Sequence, residues 1–244
     1  MRTLRQAWRL SATAVLLVVA GCFRLSRDAP RVQYFVVSGV AQPGDVAQPS
    51  AVAATSPGTP TGVASATDEA GLALGLRRLK LASYLSMPSI VIRRGVNEIV
   101  VSDFHRWGED LGEGINRVVA AHLARTELVR TVDIAPWALR ARHDFLVQLH
   151  VSRFEGVADS AATQGRSHLT AGWDIIRPLD GRVLVRGSTE ALLGSWRVGD
   201  YAGLVTGLDS ALARLARDIS ACLSRFPNDS TPPANCESGA GERN

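Results

Sequence analysis

The sequence predicts an α+β fold: a mainly antiparallel sheet packed by two amphipathic helices in a single domain. Three segments in the second half alternate apolar and polar residues with turn signals between them, the period of half-buried strands. Two further segments carry the helical period and begin at capping residues. Once the leader, the 38–71 segment and the tail are set aside, about 170 residues remain, enough for one well-buried domain. With 46% apolar and 20% charged residues, the 244-residue chain is neither fibrous nor wholly disordered.

The elements follow in chain order. Arg2, Arg5 and Arg9 precede an uncharged run, Leu10 to Gly21, that ends Val19-Ala20-Gly21-Cys22. A bilayer-spanning helix needs about 20 apolar residues, and this run stops after twelve, so residues 1–21 read as a signal peptide. A branched apolar residue, two small residues and a cysteine form a lipobox, which makes Cys22 the acylated first residue of the mature chain, bound to the membrane by its lipid. The competing reading is an ordinary signal peptide cut elsewhere, with Cys22 a chance thiol. Phe23, where an Asp would favour inner-membrane retention, points to the periplasmic face of the outer membrane.

Residues 22–37 comprise the acylated N-terminus and a first strand, Arg31 to Val37, rich in β-branched and aromatic residues. Residues 38–71 contain no aromatic residue, Lys, Arg, Leu or Ile and read as a disordered low-complexity segment. The α+β domain is expected over residues 72–226, followed by a flexible tail, 227–244. It opens with a strand over Leu74 to Leu81. Ser89 to Arg93 and Glu98 to Val101 form a hairpin around Arg94-Gly95-Val96-Asn97. Asp110 caps a helix whose apolar face carries Leu111, Ile115, Val118, Val119, His122 and Leu123. Three strands follow, Asp144 to Glu155, His168 to Arg177 and Arg182 to Leu192, the last two joined by Leu179-Asp180-Gly181. Asp200 caps the final helix, which runs through Leu204, Leu208, Leu212, Leu215 and Ile219 to Cys222.

Charge and cysteines narrow the function classes. The formal charge is +4, but removing residues 1–21 takes three arginines and no acid from 27 basic and 23 acidic side chains, leaving the mature chain one charge from neutrality. Its basic residues are spread out, with Lys80 the one lysine, so no phosphate-binding stripe exists and nucleic-acid binding is excluded. Cys222 and Cys236 would meet an oxidising compartment, where a bridge would tie the tail to the last helix. The alternative is a small core residue and a free thiol.

No catalytic, metal or cofactor site emerges. His105, His122, His143, His150 and His168 form no HExxH and have no cysteine at zinc spacing, and GxSxG, GxxxxGK[ST] and GxGxxG are absent. His122 reads as a core histidine, while His150 and His168 lie on wet strand faces. Glu109, Asp110 and Glu113 suit the positive end of a helix. More informative are Phe104, Trp107, Trp137 and Trp196, which fall at element junctions. There, aromatics either anchor a partner or pack on the rim of the core, and Phe104, Trp107 and Trp196 are the candidate partner-binding residues.

The lipobox, Tyr34-Phe35-Val36-Val37, Leu81-Ala82-Ser83-Tyr84-Leu85-Ser86-Met87-Pro88-Ser89-Ile90-Val91-Ile92-Arg93 and Phe104-His105-Arg106-Trp107-Gly108-Glu109-Asp110-Leu111 occur in that order. Arg153-Phe154-Glu155-Gly156, the Trp173 strand and Asp180-Gly181-Arg182-Val183-Leu184 follow. Together they resemble the ABC-type transport auxiliary lipoproteins of the PqiC/YmbA group. The resemblance implies a non-catalytic outer-membrane lipoprotein without cofactor that works with an MCE-domain protein and an inner-membrane permease in lipid transport, and that forms homo-oligomers. The rival class is a lipoprotein activator of a cell-wall synthase or a lipopolysaccharide-assembly accessory, for which the 38–71 segment would be a tether through the peptidoglycan.

Cys22→Ala is expected to abolish palmitate labelling and membrane retention. A variant still labelled by palmitate would contradict the lipobox reading.

Overall fold

The computed structural model describes residues 31–39, 71–158, 163–226 and 235–237. The signal peptide, Cys22, residues 40–70 of the low-complexity segment and all but 235–237 of the tail lie outside the described residues. The chain divides into two units, Met1–Gln33 and Tyr34–Asn244. Of the first, residues 31–33 are described, and Gln33 opens a strand.

Strand β1 (Gln33–Phe35) is followed by β2 (Leu72–Leu76), β3 (Lys80–Leu81) and a 3-10 turn at Ser83–Ser86. The hairpin β4 (Ser89–Arg94) and β5 (Glu98–Trp107) leads into helix α1 (Leu111–Leu123) and strand β6 (Val129–Ile134). The long strands β7 (Phe145–Ala158), β8 (Gln164–Ile176) and β9 (Val183–Arg197) precede helix α2 (Tyr201–Leu223) and a short β10 (Asn235–Glu237). All ten strands share one sheet, ordered β1-β5-β4-β7-β8-β9-β10, with β2 and β3 also against β7 and β6 against β2.

The α+β class and the two amphipathic helices agree with expectation, but the sheet is mixed where a mainly antiparallel one was expected. The ladders β4–β5, β7–β8 and β8–β9 are antiparallel. The pairings β2–β6, β2–β7, β3–β7, β4–β7 and β9–β10 are parallel. The cause is the length of β7. One of its edges carries β8, and the other is covered in succession by β2 at Phe145–Val147, β3 at His150–Val151 and β4 at Gly156–Ala158. Crossovers through sequence-distant elements leave no turn signal between the partners. For the same reason the expected Leu74–Leu81 strand is two pieces, and β6 and β10 carry no local signal.

Both helices begin as their capping residues require. Asp110 Oδ1 accepts from the Glu113 amide (2.9 Å), and Asp200 Oδ1 accepts from that of Gly203 (3.0 Å). The helices bury Ile115, Val119, Leu204, Leu208, Leu212 and Ile219 against Leu149, Phe154, Leu169, Trp173 and Ile175 of the sheet. Gly187 is required here, since a Cβ would lie 2.1 Å from the Trp173 ring. Opposite Gly187, β10 places Cys236, which is bonded to Cys222 at the end of α2 (Cα–Cα 5.7 Å). The bridge pins a three-residue edge strand to the helix layer. Among the described residues no helix is long and apolar enough to cross a membrane.

A register shift between Val151 and Arg153 decides which side chains face which way. Val147, Leu149 and Val151 point to the helices, and after the bulge Phe154 and Ala158 are buried in turn while Glu155 goes to the opposite face.

Candidate docking surface

The structure separates the three aromatic candidates. Trp107 is 6% exposed and packs against Phe154 (ring centroids 5.8 Å). Trp196 is 3% exposed and lies over Gly156 and Gly165, where a Cβ would come within 2.7 and 2.8 Å of its ring. Both are therefore core residues, which corrects the expectation that they bind a partner. Their positions at strand ends suggested exposure, but the absent side chains of Gly156 and Gly165 make the space that Trp196 fills. Phe104 is 41% exposed. Trp137 is half-buried with its ring edge toward His143 (4.9 Å).

Phe104 belongs to a patch that sequence reading did not assemble. Strand β1 sits at the sheet edge beside β5, and the Gly108 amide donates to the Phe35 carbonyl (2.7 Å). Phe35 turns inward toward His105 (6.1 Å) and Tyr201 (6.4 Å), and His105 stacks on Tyr201 at 3.6 Å. Ser102 Oγ lies 2.8 Å from His105 Nδ1 and accepts from the His105 amide. Burial lowers the pKa of His105, which favours a neutral ring in the stack. Since neighbours along a strand point to opposite faces, Tyr34 and Val36 turn away from the side Phe35 takes and lie by Gly108 just past the end of β5, where a Cβ would stand 3.2 Å from Val36 and 3.7 Å from Tyr34. Tyr34 is 67% exposed and Val36 is also exposed. Tyr34 and Val36 thus stand exposed at a sheet edge, the position from which partners are recruited, and Phe104 is exposed on the adjacent strand β5. The signal was present in Tyr34-Phe35-Val36-Val37, whose alternate residues cannot all be buried by one helix layer.

The edge is held by a cluster that unites two of the motifs, Leu81 to Arg93 and Arg153 to Gly156. Glu155 is fully buried, and Arg93 Nε pairs with its Oε1 while Nη2 reaches Oε2 (3.3 Å). The Tyr84 hydroxyl donates to Oε2 (2.8 Å) and lies 3.0 Å from the Ser152 carbonyl. Arg93 Nη1 also donates to the Val96 carbonyl in the hairpin turn (3.2 Å). A buried carboxylate is tolerated where it is paired and hydrogen-bonded. Its surroundings act on the partners: burial, then Glu155, pushes the Tyr84 phenol up to about 12, and the hydrogen bond to Glu155 raises Arg93 further. The cluster lines neither the cavity beside Leu79 and Pro136 nor the one beside Met87 and Pro88, and it ties β4 and the turn before it to β7 as a clamp.

The remaining polar groups read the same way. His150 pairs with Asp174 (3.2 Å) and His168 with Glu190 (3.1 Å), each across neighbouring strands. Register places His150 opposite Gly172 and His168 opposite Glu155, so the two histidines do not meet. His168 is buried, where a wet position was expected. His122 is half-buried, and burial, followed by Arg125, lowers its pKa. Among the described residues no three His, Cys, Asp or Glu side chains could hold a metal ion.

The clamp has a pH signature. Because the folded pKa of Tyr84 lies above the unfolded value of 10, the protonated phenol is favoured in the folded state, and its contribution to stability is complete below pH 10 and lost as pH rises toward 12. Ultraviolet tyrosinate titration of the parent and Tyr84→Phe should differ by one ionisation near pH 12, and a difference near pH 10 would contradict the buried hydrogen bond to Glu155.

Comparison with known proteins places the chain. In fold it is similar to XCC0632 of Xanthomonas campestris, a DUF330 protein, with 15% identity and a TM-score of 0.53, covering 61% of this chain and 81% of that one. A putative lipoprotein of Caulobacter crescentus (16% identity, TM-score 0.35) covers 45% and 80%. The PelC dodecamer of Paraburkholderia phytofirmans (16% identity, TM-score 0.35) covers 59% and 86%. No curated protein matches the chain. Residues 55–220, more than half of the sequence, match one family over the hairpin, the clamp, β7 to β9 and most of α2. The chain belongs to the family of the ABC-type transport auxiliary lipoprotein component.

Proposed function

We propose that this protein is a non-catalytic, lipid-anchored subunit of an MCE/ABC-type intermembrane lipid transport system, which docks the periplasmic MCE assembly at the outer membrane. Family membership supports the transport-auxiliary role. The lipobox and Phe23 support the anchor at Cys22 and the outer membrane as its address. The exposed edge at Tyr34 and Val36, with Phe104 on the adjacent strand, carries the docking role. Tyr34 stands twelve positions after Cys22, a stretch of chain that reaches at most about 40 Å at full extension, which keeps the edge near the membrane surface. Such a subunit needs shape and a tether, and the clamp and the disulfide supply shape. A homo-oligomer of the lipoprotein around the end of the MCE assembly belongs to the same proposal.

The rival reading, an activator of a cell-wall synthase or a lipopolysaccharide-assembly accessory, drew on a spacer between anchor and domain. Strand β1 is paired in the main sheet, so residues 40–70 join two of its strands and that support lapses.

Crosslinking a C-terminally tagged chain in intact cells, followed by mass spectrometry of the outer-membrane fraction, should recover an MCE-domain protein. Phe104→Asp combined with Tyr34→Asp should reduce that recovery about tenfold. Recovery of a cell-wall synthase or lipopolysaccharide-assembly protein, with no MCE-domain protein, would contradict the proposal.

A further inference from the structure

A second recognition feature lies away from the β1 edge, where β6 stops short. Strand β6 runs parallel to β2 as far as Leu76 and Ile134, and the Ala135 amide makes the last bond, to the Leu76 carbonyl. Pro136 follows, without an amide to continue the ladder. Strand β3 goes on beyond this point and pairs with β7 alone, so among the described residues the other edge of Lys80–Leu81 has no strand beside it. A cavity of about 490 Å³ opens along that edge, lined by Leu79, Leu81, Ile134 and Pro136 and floored by the first turns of α1. At Gly112 on this floor a Cβ would stand 3.2 Å from Oδ1 of the capping Asp110 and 3.6 Å from both Leu79 and Leu81, so the absent side chain keeps the groove open.

Two observations say what would fill it. Asn116 lines the groove and is 4% exposed. Its Nδ2 donates to the Arg77 carbonyl (3.0 Å), which fixes the orientation of the amide and leaves Oδ1 buried without a partner among the described residues. A buried carbonyl in this state calls for a donor. Along the β3 rim Arg77, Arg78 and Lys80 are exposed, and among the described residues none makes an ion pair. On the helix side the charge reverses: Asp110 caps α1, Glu113 is exposed, and Arg117 is paired with Glu109.

We propose that this groove is a strand-addition site for an extended peptide of a partner protein, with apolar side chains at alternate positions and acidic ones between them. The peptide takes the line that β6 leaves at Ile134 and pairs with the open edge of β3. Its apolar side chains enter between Leu79, Leu81 and Ile134, an amide donates to Asn116 Oδ1, and its acids lie over Arg78 and Lys80. A phospholipid would satisfy the cations through its phosphate, but its acyl chain has neither a donor for Asn116 nor groups for a strand edge. The inference rests on the docking reading for the source of the peptide and on the groove alone for its chemistry.

The test uses the full chain in detergent and fluorescence anisotropy of a labelled octapeptide alternating Val and Glu. Binding should weaken at least about tenfold when Lys replaces Glu in the peptide, in Arg78→Glu combined with Lys80→Glu, and in Gly112→Leu, which plugs the groove. Leu is the better helix former, but its Cβ would press on Oδ1 of the capping Asp110. Unchanged far-ultraviolet circular dichroism therefore accompanies the binding measurement, and Arg78→Glu combined with Lys80→Glu, which leaves Gly112 and the cap in place, carries the test independently. The inference is overturned by absence of binding, by binding unchanged in Gly112→Leu, or by displacement with anionic phospholipid vesicles. It is equally overturned if binding appears only after deletion of residues 41–68, since the groove would then belong to the chain's own segment. None of these results bears on whether crosslinking recovers the MCE-domain protein, which tests docking separately.

Discussion

A carboxylate with no exposure to solvent governs how this sheet is assembled. Glu155 lies on β7, Arg93 on β4 and Tyr84 in the turn before it; β4 itself meets β7 through a short parallel pairing of Ile92–Arg94 with Gly156–Ala158, while the turn is also tied to β7 through β3 and the Ala82 amide. The hairpin β4–β5, and β1 beyond it, connect to β7, β8 and β9 within the sheet only through that pairing. A slip of one residue would move every side chain of β4 to the wrong face. It would also leave Glu155 without Arg93, at a cost of about 3–5 kcal/mol for an unpaired buried charge. An intact pair, by contrast, adds little net stability over an apolar replacement. The function of the clamp is therefore to select one register, and through it to place the β1 edge.

The two ends of the sheet are treated differently, which bears on docking. At one end β10 is three residues long and is fastened to α2 by the Cys222–Cys236 bridge, so this edge is short and immobilised. At the other end β1 is as short, with Tyr34 and the following Val36 exposed, and Phe104 is exposed on the neighbouring β5. The stack of His105 on Tyr201 supports the inner side of the same edge and ties it to the first turn of α2. In the proposed docking role, this arrangement would keep the contact surface within a short stretch of chain of the lipid anchor.

Local features of the sequence were the most legible. Asp110 and Asp200 mark their helices because a side-chain oxygen in front of an apolar period has one common use, and the alternation in β7, β8 and β9 follows from burying one face. The bulge was not legible: Asp144 to Glu155 reads as one alternating strand, whereas the register shifts between Val151 and Arg153, so that Phe154, three positions after Val151, is buried in turn. Features that depend on distant contacts were not. Tyr84, Arg93 and Glu155 are separated by 62 to 71 positions along the two clamp contacts, and nothing local says that they meet. Trp107 and Trp196 misled because position at a strand end is a weak guide to burial, whereas the glycines opposite Trp196 decide it. Strand β6 was hidden because Val129 is its one fully buried residue, so it has no alternating face.

The direct test of the clamp is a double-mutant cycle at Arg93 and Glu155, read as unfolding free energies in urea. Arg93→Met and Glu155→Gln should each destabilise by about 3 kcal/mol, and the double variant should cost much less than their sum, with a coupling of at least about 2 kcal/mol. Additivity within about 0.5 kcal/mol would contradict a register-selecting clamp, because the hairpin would then be held by packing alone.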